Sequence, residues 1–272
     1  MPMREQRAVF GEVAAEYEDS RPGYPKAMID DVLAHAARYL RSPVVEVGAG
    51  TGKATVAFAH CGLQLTALEP DPRMAAMTAH KCRDHPRTTV VVSKFEEWTA
   101  PLASVGLLFS AQAWHWVDPR IRGAKAAEIL MPDGTIALWW NDFMLDDRIL
   151  RNALLRLHVK HGCGDLAHHT LLPERDPERP EGFDDPDDQP FQELKSGGFV
   201  DIRHRQYRVV HSLTTKGYVN LLASISDYRM LDEENRANLL ADIATELGSR
   251  RVGLDTVTHL YLARNPRAGR DY

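Results

Sequence analysis

Between Pro25 and Leu40 the apolar residues fall at Met28, Ile29, Val32, Leu33, Ala36 and Leu40, the spacing that lays one face of an α-helix on a core. The period then changes. Val44 to Val47 is a short β-branched run entering a cluster of glycines, and the alanine-rich stretch Lys53 to His60 leaves it as a helix, giving strand, tight turn, helix. The alternation continues with Leu65 to Leu68 as a strand, Pro72 to Arg83 as a helix, and Thr89 to Val92 and Val105 to Ser110 as strands. Pro119 to Leu130 reads as a helix, Pro132-Asp133-Gly134 as a turn, and Thr135 to Trp140 as a further strand. Near-continuous apolar strands alternating with helices predict a parallel sheet covered on both faces.

From His158 to Pro190 the chain is polar and rich in proline and acid, without a sustained period. A long irregular insertion of this kind is read as a lid or substrate-side lobe. Regular structure resumes with Phe199 to Val210 as a strand, a helical stretch over Tyr218 to Leu247, and Thr256 to Ala263 as a last strand at one edge of the sheet. The expected division is 1–43 as an N-terminal helical cover, 44–157 as the ligand-binding core, 158–198 as the lid, and 199–272 as the part completing the sheet. With 272 residues, 44% of them apolar, and a net charge of −5, the chain is long enough for one large α/β domain with insertions. Its scattered basic residues argue against nucleic acid as partner. Three well-separated cysteines, Cys61, Cys82 and Cys163, and an N-terminal stretch without an apolar run point to a cytoplasmic protein outside the membrane with a small-molecule partner. Oligomeric state is left open.

Val44 to Thr55 reads VVEVGAGTGKAT. Its closing GTGK suggests a phosphate loop, which requires G-x-x-x-x-G-K-[ST]. Counting back from Gly52 puts Val47 at the first glycine position, and Ala54 stands where the hydroxyl is needed. Both required residues are missing. A dinucleotide turn, G-x-G-x-x-G, fits imperfectly because the glycines stand at 48, 50 and 52. Glu46, two residues before the first of them, would oppose a pyrophosphate placed on the turn. The ligand here is expected to carry positive charge and no phosphate. S-adenosylmethionine, with a sulfonium and an ammonium, meets that demand.

The segment E-V-G-A-G-T-G resembles the first motif of class I S-adenosylmethionine-dependent methyltransferases. The resemblance implies an α/β, doubly wound, mostly parallel seven-stranded Rossmann-like sheet. It also implies that Gly48, Ala49, Gly50 and Gly52 let the backbone approach the cofactor, with Glu46 near its methionine amino end. Glu69, at the end of the second strand, is placed to accept the ribose hydroxyls, followed by Pro70 and by Met74 near the adenine. Phe95 and Glu96 match the adenine-edge positions after the third strand, with a helix-starting acidic pair, Glu96 and Glu97, as the alternative, and Ser110 and Gln112 approach the cofactor after the fourth. The stretch SAQAWHWVDP resembles a segment of the small-molecule type 11 branch, whose members include trans-aconitate methyltransferase. That branch tends to start with Tyr-x-x-x-Arg-Pro-x-Tyr-Pro, matched by Tyr17, Arg21 and Tyr24. These are implied to cover the site, Tyr17 and Arg21 at the cofactor and Tyr24 at the substrate.

His115 is the candidate catalytic base, since an imidazole titrates near neutral pH; orienting a helix end or the cofactor carboxylate is the alternative. Trp114, Trp116, His168, His169 and Tyr228 are the further substrate-side candidates, with packing as the alternative for the two tryptophans. The cluster His158, His161, Cys163, His168 and His169 lacks the spacing of a closed zinc site, and no metal is expected. Arg203, His204, Arg205 and Arg208 read as a solvated strand face, or as recognition of an acidic substrate. The Asp184 to Asp188 run reads most simply as a solubilising loop, with hard-cation binding as the alternative. The expected function is methyl transfer to a small molecule of carboxylate or secondary-metabolite type; the alternative is a non-catalytic protein that binds the same cofactor. Without an Asn-Pro-Pro-Tyr motif after the fourth strand, an RNA or protein acceptor is not expected.

Overall fold

The computed structural model describes residues 23–145, 147–166 and 189–266. Tyr17, Arg21, His168, His169 and the acidic run at 184–188 lie outside the described residues. The described chain divides into two units, one of 23–140, 189–207 and 259–266, the other of 141–166 and 208–258 with residue 146 excepted.

Among the described residues seven strands form one sheet: β1 (Val44–Val47), β2 (Leu65–Glu69), β3 (Thr88–Val92), β4 (Val105–Ala111), β5 (Leu130–Met144), β6 (Val200–Thr214) and β7 (Arg251–Arg264), in the order β3-β2-β1-β4-β5-β7-β6. Strand β1 pairs in parallel with β2, Val44 opposite Leu65, and with β4, Val44 opposite Leu107. β2–β3 and β4–β5 are parallel as well. β7 runs antiparallel; Asp133 N and Asn265 N each donate to the other strand's backbone, at 3.0 Å to Asn265 O and 2.8 Å to Gly134 O. From β1 the chain winds outward through β2 and β3, then returns to place β4 on the other side. That reversal opens a crevice beyond the carboxyl ends of β1 and β4.

The sheet is covered on both faces because its residues alternate between two apolar clusters. Val44, Leu107, Phe109 and Trp139 pack with Met28, Val32 and Phe58 from helices α1 (Lys26–His35) and α2 (Lys53–Ala59). Val45, Val47, Leu108 and Leu138 pack with Ala126, Ile129 and Leu194 from α4 (Arg122–Ile129) and α6 (Gln189–Ser196). Successive strand residues point to opposite faces, so the two clusters are the two sides of the sheet. Helix α3 (Pro72–Lys81) starts on Asp71, whose carboxylate accepts from Arg73 N and Met74 N, with proline at the first helical position. Such a cap contributes about 1 kcal/mol.

Two features depart from the sequence pattern. Pro132-Asp133-Gly134 lies inside β5, where Asp133 takes a positive φ of 63° and the register with β4 shifts between Val105 and Leu107; a bulge absorbs the turn residues without ending the strand. In the second unit, α5 (Arg148–Lys160) begins on an Asp147 cap and carries the stretch expected as lid past His158. Leu150 and Leu154 pack there with Tyr218, Leu221, Tyr228, Leu239 and Ile243 of α7 (Thr215–Ser224), α8 (Ser226–Met230) and α9 (Glu233–Leu247). The arginines of β6 are held by acids: Arg203 by Asp201, Arg205 by Asp31 and Arg208 by Asp255.

Candidate functional site

The turn after β1 is built from backbone that only glycine fits. Gly48 has φ +76°, and a Cβ on it would stand 2.3 Å from the Ala113 Cβ; Gly52, at φ +87°, starts α2 against Thr78. Side chains from α3 hold the loop's carbonyls: Thr78 Oγ1 donates to Gly50 O at 2.8 Å and Lys81 Nζ to Thr51 O at 2.7 Å. Sequence reasoning missed these two residues, and Thr55 as well, because their roles depend on the packing of α2 and α3 around the turn.

Two acids frame the loop. Glu46 is fully buried; its Oε2 accepts from Thr55 Oγ1 at 2.6 Å, and Oε1 has no hydrogen-bond partner among the described residues. Burial pushes its pKa up to about 8, opposed by the Thr55 bond and reinforced by the charge of Glu69. Glu69, 6% exposed, accepts from Gly50 N at 2.7 Å and from Asp71 N at 2.9 Å. Burial raises its pKa, and the two backbone bonds act against that. A carboxylate has about four acceptor positions, so capacity remains for two hydroxyls. Pro70 is exposed, while Met74 and Phe95 are buried. Glu96 Oε1 accepts from Asp118 N at 3.0 Å.

The segment after β4 closes the crevice. Ser110 Oγ donates to Val47 O at 2.8 Å, and Gln112, at φ +59°, donates its backbone N–H to Trp139 O at 2.9 Å. A 3-10 turn, Trp114–Trp116, follows. Trp114 is buried, its indole donating to Glu193 Oε1 at 2.8 Å and its ring 5.8 Å from Phe95. Glu193 also pairs with the guanidinium of Arg122, which donates in turn to the carbonyls of Trp114 at 2.9 Å and Val117 at 3.1 Å. This buried clamp fixes the turn from behind, and no local sequence signal joins residues 71 and 79 positions apart. His115 is exposed beside Trp116, with ring centroids 4.7 Å apart, and its Nδ1 lies 3.1 Å from the indole nitrogen of Trp140. Tyr24 packs edge-on against Trp139 at 5.5 Å.

Tyr228 belongs to the other unit. It is fully buried, and its hydroxyl donates to His158 Nε2 at 2.6 Å while His158 Nδ1 donates to Leu154 O at 2.7 Å. Burial lowers the His158 pKa, keeping the ring neutral in this arrangement. His161 is engaged by Asp242 at 2.8 Å.

Residues 44–134 match the model of the methyltransferase domain family. This stretch is similar to a methyltransferase domain. The chain is 37% identical over 138 residues to an uncharacterised methyltransferase of Mycobacterium tuberculosis, the match covering 51% of this chain and 54% of that one. A Saccharomyces cerevisiae protein assigned as an S-adenosylmethionine-dependent methyltransferase is 24% identical over 131 residues, 47% of this chain and 45% of its own. The chain thus spans about half the length of the curated relatives it matches. Among solved structures, a protein of Anaeromyxobacter dehalogenans assigned as a type II methyltransferase superposes with a TM-score of 0.60 at 21% identity, over 91% of this chain and 99% of that one. Phosphoethanolamine N-methyltransferase 2 of Haemonchus contortus, in complex with phosphomonomethylethanolamine and S-adenosylhomocysteine, gives 0.53 at 13%, over 98% and 61%. These structural likenesses establish the shared fold of the domain.

The residues fit the cofactor. Glu46 Oε1, unpartnered among the described residues, is a buried acceptor suited to an ammonium, the space beside Gly50 is open to 4 Å, and Glu69 retains acceptor positions for a ribose. Among the described residues no helix is long and apolar enough to cross a membrane.

Proposed function

We propose that the whole chain is an S-adenosylmethionine-dependent methyltransferase acting on a small molecule, within the type 11 branch that the SAQAWHW and Arg-Pro-x-Tyr-Pro segments resemble. The observation that carries this is Glu46, a buried acid with one oxygen lacking a partner among the described residues, set directly before a glycine turn. When bound, the cofactor supplies an electrophilic methyl on a sulfonium, whose C–S bond breaks with its electron pair staying on sulfur. In this reading Glu46, Gly48, Ala49, Gly50 and Gly52 hold the methionine end, Glu69 and Pro70 the ribose, and Met74, Phe95 and Glu96 the adenine, with Ser110 and Gln112 bracing the crevice. His115, Trp116 and Tyr24 face the acceptor. Trp114 and Tyr228 serve packing instead, since both are buried with their polar atoms engaged. The net charge of −5 disfavours a polyanion as acceptor, and the resemblance to the branch that includes trans-aconitate methyltransferase points to a small molecule of carboxylate or secondary-metabolite type. Three unbridged thiols, Cys61, Cys82 and Cys163, suit a reducing compartment.

Calorimetry with S-adenosylhomocysteine tests the binding half. The wild type is expected to bind, and Glu69→Ala to lose most of its affinity; normal binding by that variant would remove the ribose assignment. A panel of small carboxylates with a radiolabelled methyl donor tests turnover, and binding without any turnover would favour a non-catalytic sensor.

A further inference from the structure

Trp140 lies near the carboxyl end of β5, one residue past Trp139, which the sheet register sets opposite Ala111. Its indole Nε1–H donates to Nδ1 of His115 at 3.1 Å. An indole nitrogen donates only, so Nδ1 must be the acceptor. An imidazole that accepts at Nδ1 is neutral and carries its proton on Nε2. The donor is itself held in place. Its ring stands edge-on to Tyr261 at 5.9 Å, and Tyr261, 4% exposed, lies parallel to His204 at 4.5 Å. On the other side, His115 rests against Trp116. The indole is thus braced by β6 and β7, and the imidazole by its own 3-10 turn.

We propose that Trp140 is a positioning residue that fixes His115 as the Nε2–H tautomer, so that His115 presents a hydrogen-bond donor to the methyl acceptor and not a base. This rests on the methyltransferase reading of the site. With Nδ1 occupied by the indole and Nε2 protonated, the neutral ring has no lone pair with which to take a proton. The acceptor suited to such a site reacts through an atom already deprotonated, a carboxylate oxygen above all. The new C–O bond forms as the C–S bond breaks, the electron pair remains on sulfur, and no proton changes hands. The donor's contribution is to orient the carboxylate through its second oxygen, which places the first in line for displacement.

Long-range 1H–15N correlation on the labelled full chain reads the tautomer directly, with His115 assigned by the signal that vanishes in His115→Gln. The wild type at pH 8 is expected to show the Nε2–H form, and Trp140→Phe, which keeps a ring but removes the donor, to lose that preference while binding S-adenosylhomocysteine unchanged. An Nδ1–H wild type, or an unaltered tautomer in Trp140→Phe, overturns the proposal; the wild-type spectrum decides even where the variant fails to fold. In the carboxylate panel, His115→Gln places an amide N–H near the Nε2 position without supplying a base. It is expected to keep its rate within about tenfold while His115→Ala loses about 10²-fold. Equal losses in the two variants overturn the donor role. Failure of the underlying reading has a separate signature: no S-adenosylhomocysteine binding by the wild type, whatever the tautomer.

Discussion

Glu46→Gln offers a quantitative test of the buried acid. The carboxyl is fully buried and its pKa rises from 4.5 to about 8, mainly through desolvation. The folded state therefore holds a proton that the unfolded chain has released, and stability is lost as pH climbs between those two values. At about 1.4 kcal/mol per pH unit, the cost is under about 1 kcal/mol at pH 5 and reaches about 4 kcal/mol at pH 8. Glutamine mimics the neutral acid: its carbonyl can still accept from Thr55, and it never ionises. Urea unfolding of both proteins at pH 5 and pH 8 isolates this group, because other titrations are shared and cancel in the difference. With a slope of about 2–3 kcal/mol per molar urea, the variant's midpoint at pH 8 should exceed that of the wild type by on the order of 1–2 M, with near-identical midpoints at pH 5. A difference that stays constant between the two pH values would refute the reasoning. The same neutral Glu46 makes cofactor binding proton-linked, since a bound ammonium stabilises the charged form. Calorimetry in buffers of differing ionisation enthalpy should show proton release by the wild type near pH 7 and none by the variant.

Glu193→Ala leaves the guanidinium of Arg122, 5% exposed, without its carboxylate and frees the indole of Trp114. A loss of about 2–4 kcal/mol in urea unfolding is expected, below the full cost of breaking a buried pair because the Glu193 side chain is 24% exposed; a change under about 0.5 kcal/mol would show that the clamp does not hold the turn. Gly48→Ala puts a methyl 2.3 Å from the Ala113 Cβ and should abolish S-adenosylhomocysteine binding in calorimetry. Adding Ala113→Gly should restore only part of it, because the positive φ still costs about 1–2 kcal/mol.

The parts of the domain legible in the sequence were those whose physics is local. Val44–Val47 reads as a strand because both faces are covered and every residue is apolar or, at Glu46, exceptional for a reason the glycines explain. Asp71-Pro72 announces the start of α3 through a cap and a fixed φ. Helix α5 was not legible because its apolar positions, Leu150, Ala153 and Leu154, sit among arginines and run into the polar stretch beyond His158. They reveal a buried face only once α7 and α9 pack on it. Pro132-Asp133-Gly134 misled for the converse reason: turn residues mark a bend, and whether the strand ends or bulges depends on the neighbour it pairs with.

At the candidate site the same division separates where a residue stands from what state it is in. The position of His115 follows from its place just beyond β4, since ligands of such sheets lie past the carboxyl ends of the strands. Its protonation does not follow from its neighbours in the chain, because the donor to its Nδ1 is Trp140, 25 residues away. That distant contact still has a rule behind it. Once β4 and β5 are known to pair with Ala111 opposite Trp139, residue 140 falls level with the segment that follows β4. A donor-only side chain at that position sets the tautomer of an imidazole reaching back toward it. Strand order and register therefore carry chemical information that neither motif contains alone, and the residue to inspect beside a catalytic segment is the one its neighbouring strand brings to the same height.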